Sequence, residues 1–220
     1  GPPGSGKSTI VHLAPRFYDP IEGYITIDGQ DLRDVTIESL RHAVGVVEQD
    51  TFLFTASVEH NVAYGDPWAP DDRVELASKY AQLGDYIERL PGGYDTMVGE
   101  RGVSLSGGQR QRLSIARSIM LKPKLIVFDD STAAIDAATE QRIRAALEEL
   151  TRDRATIIIS HRLSSLMHAD EILFIEGGKI VERGSHEELL ALGGHYNDLY
   201  ELQIRPSEDA EPLETEGDGS

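Results

Sequence analysis

The first nine residues of the chain read Gly1-Pro-Pro-Gly-Ser-Gly-Lys-Ser-Thr9, a stretch that satisfies the phosphate-loop pattern G-x-x-x-x-G-K-[ST]. Glycines let backbone N–H groups turn inward around phosphates without Cβ clashes. The loop leads into a predicted helix, Ser8 to about Ala14, whose N-terminal dipole favours an anion. Lys7 can reach the β- and γ-phosphates, and the Ser8 hydroxyl can ligate Mg²⁺. The predicted triphosphate-binding residues are Gly1, Gly4, Ser5, Gly6, Lys7, Ser8 and Thr9.

The composition is that of an ordinary soluble globular protein, with 220 residues, 40% hydrophobic and 27% charged. No apolar run approaches the roughly 18 residues of a membrane span. The formal charge of −17 argues against general affinity for nucleic acid. Because there is no cysteine, disulfides, thiolate zinc sites and Cys nucleophiles are excluded. Residues 205–220 form an acidic tail with almost no apolar side chains, which we expect to be disordered and solvated.

Hydrophobic patterning predicts strands alternating with helices, which is typical of an α/β fold with a mostly parallel sheet. Buried strands are predicted at Val44–Val47 and Leu125–Phe128, a further strand at Thr156–Ile159, and hairpin turns at Asp28-Gly29 and Gly177-Gly178. Helices are predicted at Ile37–His42, Asp71–Leu90, Ala138–Leu150, Ser185–Leu192, and Ser106–Leu121 with a Ser cap and an arginine-rich exposed face. Since 56–121 lacks clear strands, we expect it to be a helical subdomain inserted into a domain covering 1–204.

A second group of residues follows the apolar strand that ends in Asp129 and Asp130. Such a strand places carboxylates at the carboxyl edge of the sheet, where ligands bind in open α/β folds. Asp129 is predicted to hold Mg²⁺, directly or through water, and Asp130 to polarise an attacking water. Taken alone, the loop could be a chance Gly/Pro turn, and the acids could simply end a strand in solvent. Their occurrence together favours the functional interpretation.

The third group is Leu105-Ser-Gly-Gly-Gln109, which opens a helix and so forms a second anion-binding N-terminus. One nucleotide does not normally need two such sites in one chain. The simplest explanation is that Ser106, Gly107, Gly108 and Gln109 cover the γ-phosphate of a nucleotide held by another subunit. An ordinary Ser-capped helix is the alternative for this segment alone.

With the phosphate loop and the strand that ends in acids, the LSGGQ segment resembles the nucleotide-binding domain of ABC transporters over about Gly1–Leu202. The resemblance implies a P-loop NTPase core, a remnant of an antiparallel β-subdomain, an inserted helical subdomain, and ATP with Mg²⁺ as ligands. Gln49 resembles the Q-loop glutamine that contacts Mg²⁺ and faces the membrane partner. Asp136 resembles the D-loop aspartate at the dimer interface, and His161 resembles the switch histidine that contacts the γ-phosphate.

The segments Asp50–Phe54, Ser57–Gly65 and Thr96–Gly102 are similar to those of exporter-type domains, in which Thr96–Gly102 would be the X-loop that meets the transmembrane half. The resemblance therefore implies a transmembrane domain, fused upstream and missing here, and a second nucleotide-binding domain as partners. It also implies a location at the cytoplasmic face of the membrane and no nucleic-acid partner. A soluble ABC ATPase without a transporter is an alternative function.

Asp130 departs from the family pattern, because the catalytic carboxylate after this strand is usually Glu. Asp is one methylene shorter, so its carboxylate lies about 1 Å back from the attacking water. A misplacement of that size can reduce the rate on the order of 100-fold. In heterodimeric exporters, which this chain resembles, one chain often carries such a weakened acid beside an intact LSGGQ segment. The resemblance therefore implies the slow site of a heterodimer, with a homodimer that works with Asp as the alternative. A regulatory module that binds ATP with little turnover is a further possibility.

Overall fold

The computed structural model describes residues 1–48, 51–99, 102–129, 135–151 and 154–203. The helices are α1 (Lys7–Leu13), α2 (Ile37–Ala43), α3 (Val58–Val62), α4 (Asp71–Tyr80), α5 (Gly84–Glu88), α6 (Gly107–Met120), α7 (Ala137–Thr151), α8 (His186–Leu192) and α9 (His195–Gln203). The strands are β1 (Thr26–Ile27), β2 (Gln30–Asp31), β3 (Val44–Val47), β4 (Ala56–Ser57), β5 (Met97–Val98), β6 (Leu125–Asp129), β7 (Ala155–Ile159), β8 (Ile172–Glu176) and β9 (Lys179–Gly184).

The chain divides into two compact units. The large unit is Ser8–Ile159, and the small unit joins Gly1–Lys7 to Ser160–Ser220. The acidic tail, 205–220, lies outside the described residues, so its predicted disorder stays a prediction.

The large unit is built on a parallel sheet in which β6 lies between β3 and β7. Because successive side chains of a strand point to opposite faces, β6 serves two cores. Leu125 and Val127 belong to a core with residues of α1, α2 and β3, while Ile126 and Phe128 belong to one dominated by α3, α4 and α6. The predicted buried strand is thereby confirmed. Its burial on both faces leaves Asp129 as the first half-exposed residue at the carboxyl end.

Short antiparallel pairs complete the large unit. The predicted turn at Asp28-Gly29 is confirmed, because it joins β1 to β2 with both residues in the left-handed region, φ 50° and 79°. β4 pairs with β5 in a two-residue ladder, Ala56 to Val98 and Ser57 to Met97. The interval 56–121, in which the sequence shows no clear strand, thus contains two strands of two residues each, too short to leave a hydrophobic alternation that could be detected.

Helices α3 to α6 occupy most of the interval 56–121. The single helix expected over Asp71–Leu90 is two helices, α4 and α5, separated at Gln82, whose φ is 56°. Since a left-handed residue cannot continue a right-handed helix, the break is local and sharp. The division of 56–121 into a separate helical subdomain stays a prediction.

The small unit contains the β8–β9 hairpin and the last two helices. Gly177 and Gly178 turn the hairpin with φ of 55° and 74°, as the sequence predicts. α8 begins at a Ser185 capping box and ends at the left-handed Gly193, φ 67°. The sequence did not predict α9, whose Tyr196 is 1% exposed and packs in the core of this unit. Within the described ranges, no helix is long and apolar enough to cross a membrane.

Candidate nucleotide-binding site

Gly1–Lys7, the greater part of the predicted phosphate loop, belongs to the small unit, and the Lys7 side chain folds back onto the loop. Gly4 and Gly6 have φ of 75° and 102°, so the backbone itself requires glycine there. An added Cβ at either position would meet no atom within 4 Å, so the positive φ, and not crowding, disfavours other residues there. The Lys7 ammonium donates to the carbonyls of Gly1 at 3.0 Å and Pro2 at 2.8 Å. Buried Ser5 holds the loop in place, because its carbonyl accepts from Gly178 N.

Two of the three predicted metal ligands, Ser8 and Asp129, are in contact in the large unit, and the third, Gln49, lies outside the described residues. Ser8 Oγ donates to Asp129 Oδ1 across 3.2 Å, joining residues 121 positions apart. Both are oxygen donors, the type that Mg²⁺ prefers, and adjacent ligands of an octahedral Mg²⁺ with bonds of about 2.1 Å lie about 3 Å apart. The separation of these two oxygens therefore fits a magnesium site. Thr9 is exposed on α1 beside them.

The LSGGQ segment forms the N-terminus of α6 as a complete capping box. Ser106 Oγ accepts from Gln109 N at 3.3 Å, and Gln109 Oε1 accepts from Ser106 N at 2.7 Å. Both side chains use their acceptor atoms in this box, which leaves the Ser106 O–H and the Gln109 NH₂ as donors. Together with the N–H groups of Gly107 and Gly108, these donors suit an anion.

The arginines of α6 correct the expectation of an exposed, arginine-rich face. Arg110 is exposed, but Arg112 and Arg117 are half-buried, and burial lowers the pKa of both guanidinium groups. Arg112 donates to Gln82 O at 2.6 Å, the residue at which α4 and α5 separate. Arg112 and Arg117 thus join α6 to backbone carbonyls 30 and 56 residues away in the sequence, those of Gln82 and Asn61. Partners at such distances leave no local pattern, so this role could not be predicted from the sequence.

Arg117 supports a cluster of aromatic side chains, formed by Phe52, Phe54 and Tyr64. The guanidinium donates to Phe52 O at 3.2 Å and lies 5.3 Å from the centre of the Phe54 ring. The Phe54 and Tyr64 rings stack with centroids 4.3 Å apart, and Phe52 meets Phe54 edge-on at 5.0 Å. Because Phe52 is 68% and Tyr64 58% exposed, the cluster presents an aromatic surface.

Asp136 caps α7. Its Oδ1 accepts from Thr139 N at 2.9 Å, and its carbonyl accepts from Glu140 N. The hydrogen bond from Thr139 N lowers the pKa of the Asp136 carboxyl, and the nearby charge of Arg142 lowers it further. The residue predicted at a dimer interface is thus an exposed, ionised carboxylate whose backbone position is fixed by a helix start.

His161 comes two residues after the end of β7 in the sequence and belongs to the small unit. Its side chain is exposed. Ser160 Oγ accepts from Arg162 N at 3.0 Å, so the chain turns immediately around the histidine. Exposure of the His161 side chain is compatible with contact to a ligand. Its role as a switch histidine stays a prediction.

Two predicted catalytic residues, Gln49 and Asp130, lie outside the described residues, as do Asp50, Glu100 and Arg101. Their predicted roles are therefore untested. The strands that precede Gln49 and Asp130 in the sequence are described: β3 ends at Val47 and β6 ends at Asp129. The parallel pairing of β3 with β6 brings these two strand ends side by side, at Val47 and Phe128.

Known proteins resemble this chain over nearly all of its length. A family model described as ABC transporter matches residues 1–133. The chain is 50% identical over 205 residues to the uncharacterized ABC transporter ATP-binding protein YknU of Bacillus subtilis, covering 93% of the chain and 35% of YknU. It is likewise 50% identical over 203 residues to a putative multidrug export ATP-binding/permease protein of Staphylococcus aureus, covering 92% of the chain and 35% of that protein.

A solved structure has the same fold. A bacterial Atm1-family ABC exporter with ATP bound superposes with a TM-score of 0.88 at 46% identity, over 97% of this chain and 36% of the exporter chain. The predicted fold class is thereby confirmed: a P-loop NTPase core with a mostly parallel sheet and helical and antiparallel additions. The chain spans about a third of the length of these relatives.

Proposed function

The chain belongs to the ABC transporter family, and from this premise we propose that it binds ATP with Mg²⁺ and hydrolyses it to power export. The observation that carries the proposal is the 3.2 Å contact between Ser8 Oγ and Asp129 Oδ1. It brings a residue of the phosphate-loop motif to the acid that ends β6, across 121 positions of the sequence.

At this site Ser8 and Asp129 would hold the metal, each through one oxygen. Mg²⁺, when bound there, neutralises charge on the phosphates as it develops during transfer. Lys7 would exchange its two carbonyl partners for phosphate oxygens, replacing neutral acceptors with charged ones. Gln49 would complete the metal site, and His161 would contact the γ-phosphate.

A second nucleotide-binding domain would complete the site. We expect the donors of Ser106 and Gln109, with the adjacent glycine N–H groups, to cover the γ-phosphate on the opposing domain. Asp136, ionised at the start of α7, would lie at the dimer interface. Each of the two ATP sites would thus lie between the phosphate loop of one domain and the Ser106–Gln109 segment of the other. Closure of this dimer would be coupled to a transmembrane domain at the cytoplasmic face of the membrane. The aromatic surface of Phe52, Phe54 and Tyr64, together with Thr96–Gly102, offers the contacts for that domain.

A substitution series tests this proposal in the full-length protein. Asp129→Asn should raise the Mg²⁺ concentration needed for half-maximal ATP binding by about 10-fold or more, because a carboxylate ligand is lost. Ser8→Ala should act in the same direction. Ser39→Ala, an exposed serine at the start of α2, is the matched control and should leave binding unchanged. Wild-type Mg²⁺ dependence in both site variants would contradict the proposed site, and binding without hydrolysis would favour the regulatory module instead.

We further propose that this chain holds the slow site of a heterodimer, because Asp130 replaces the usual Glu. The shorter carboxylate would polarise water poorly, while the intact Ser106–Gln109 segment would still complete the partner's site. Single-turnover hydrolysis should therefore rise at this site by on the order of 100-fold in Asp130→Glu. Asp130→Asn serves as the control that lacks any base. An unchanged rate in Asp130→Glu would refute the slow-site proposal and favour a homodimer that works with Asp.

A further inference from the structure

The side chain of Gln203 clamps the backbone on both sides of residue 162. Its Nε2 donates to His161 O at 3.1 Å, and its Oε1 accepts from Leu163 N at 3.2 Å. One amide thus meets a carbonyl with its donor and an N–H with its acceptor. In a flipped amide, the oxygen would face the His161 carbonyl oxygen and the NH₂ group would face the Leu163 N–H. The hydrogen-bond network therefore defines the orientation of the amide.

The clamp is attached to a firmly held helix, since Gln203 is the last residue of α9. The Glu182 carboxylate of β9 accepts from the N–H groups of His195 and Tyr196, at 2.5 and 3.0 Å, and so caps the first turn of α9. Tyr196 is 1% exposed, and its hydroxyl contacts His186 Nδ1 at 2.8 Å. The helix is therefore held at its first turn, and Gln203 projects from its last.

Leu163, whose N–H the clamp holds, is buried in the same core as Tyr196. The chain from Ser160 to Leu163 is consequently fixed at three points: the Ser160 hydroxyl, the His161 carbonyl and the Leu163 N–H. Since a side chain reaches only as far as its backbone position and rotamers allow, these bonds determine where the His161 imidazole can lie.

We propose that Gln203 is a positioning residue for His161. Its two hydrogen bonds connect α9 to residues 160–163, the segment that contains His161. The inference rests on the proposed function, in which His161 contacts the γ-phosphate. Loosening the clamp would let the backbone at His161 move while ATP still binds on the phosphate loop. A displacement of about 1 Å at a catalytic group can lower the rate on the order of 100-fold, so the effect should fall on kcat rather than on KM.

The first experiment measures amide hydrogen exchange at Leu163 in the full-length protein without added nucleotide. Gln203→Ala should speed exchange there roughly 5- to 10-fold, because one hydrogen bond to the amide is lost. Gln203→Glu keeps an acceptor for Leu163 N and should exchange nearly as the wild type does. Leu202→Ala, the neighbouring 75% exposed residue of α9, is the matched control. Wild-type exchange in Gln203→Ala would overturn the clamp.

The second experiment measures steady-state ATP hydrolysis by the same variants. Gln203→Ala should lower kcat by about 10- to 100-fold with KM within about twofold of wild type. Gln203→Glu should lower kcat as well, because its carboxylate cannot donate to His161 O. When His161→Ala is combined with Gln203→Ala, kcat should fall no further than in His161→Ala alone. An unchanged kcat despite faster Leu163 exchange, or an additive loss in the double variant, would overturn the positioning role.

Failure of the proposed function gives a different result. If His161→Ala hydrolyses ATP at the wild-type rate, the histidine has no part in catalysis and the proposed role of His161 fails. The exchange rate at Leu163 would still decide whether Gln203 holds this backbone. The two failures are therefore distinguishable in one set of variants.

Discussion

Truncation of Arg117 to alanine should destabilise the large unit by about 3 kcal/mol. The guanidinium donates to Asn61 O at 2.9 Å, Asn61 Oδ1 at 3.1 Å and Phe52 O at 3.2 Å. A hydrogen bond to a charged group contributes about 1.5–3 kcal/mol. Asn61 Oδ1 keeps Phe54 N as a donor, so its loss is small, whereas Asn61 O loses a donor at a residue with 0% exposure. Losing the contact with the Phe54 ring adds about 0.5–1 kcal/mol, and removing the desolvated charge offsets about 1 kcal/mol.

Urea unfolding followed by circular dichroism measures this loss as a lower midpoint at an unchanged slope. Arg117→Lys keeps the charge but not the planar fork, so about half the loss should remain. Arg110→Ala removes an exposed arginine from the same helix and should cost less than about 1 kcal/mol. A loss below 1 kcal/mol in Arg117→Ala, or equal losses at both positions, would refute the view that the hydrogen bonds of Arg117 to Asn61 and Phe52 stabilise this region.

Three other substitutions follow from the described contacts. Glu182→Ala should destabilise the small unit by about 2 kcal/mol, because α9 loses both capping acceptors, and a melting temperature equal to wild type would contradict this. Gly6→Ala should cost about 1–2 kcal/mol, since φ of 102° strains any residue with a Cβ; unchanged stability would mean that the loop relaxes. The Arg33 side chain, hydrogen-bonded to Asp31, lowers the pKa of that carboxyl to about 2 from 3.8. Its contribution to stability is present above about pH 4 and lost as pH falls towards 2, and Arg33→Ala should return the NMR titration midpoint towards 3.8.

Much of the fold could be predicted because its signals are local. The β6 strand is a run of consecutive apolar residues, and the starts of α6 and α8 each need only a serine and a side chain three residues later. The hairpin at Asp28-Gly29 similarly requires just two residues that tolerate positive φ. Each of these features depends on residues that lie within a few positions of one another, so the sequence alone contains the information needed to predict it.

The features that the sequence analysis missed depend on distant partners. Gln82 ends α4 with a positive φ although it is neither Gly nor Asn, and Arg112, 30 residues later, holds its carbonyl. Arg117 reads as one more basic residue of an amphipathic helix until Asn61 is found beside it, 56 residues away. Gln203, near an acidic tail, has no local signal for its bonds to His161 and Leu163. Hydrophobic periodicity indicates which face of an element is buried, but it does not indicate which polar groups of other segments form hydrogen bonds with that face.

Lys7 and Ser8 each have a protein partner in this structure, and the polarity of these bonds bears on what the site can bind. Lys7 donates to two neutral carbonyls, and Ser8 donates to a carboxylate. Replacing a neutral acceptor of Lys7 by a phosphate oxygen makes a bond roughly twice as strong, so the lysine gains by the exchange. A cation held by the Ser8 and Asp129 oxygens would replace the hydrogen bond between them, and the Ser8 O–H could then donate to a phosphate oxygen. The same contacts therefore favour binding of the anion and the cation together over binding of either one alone.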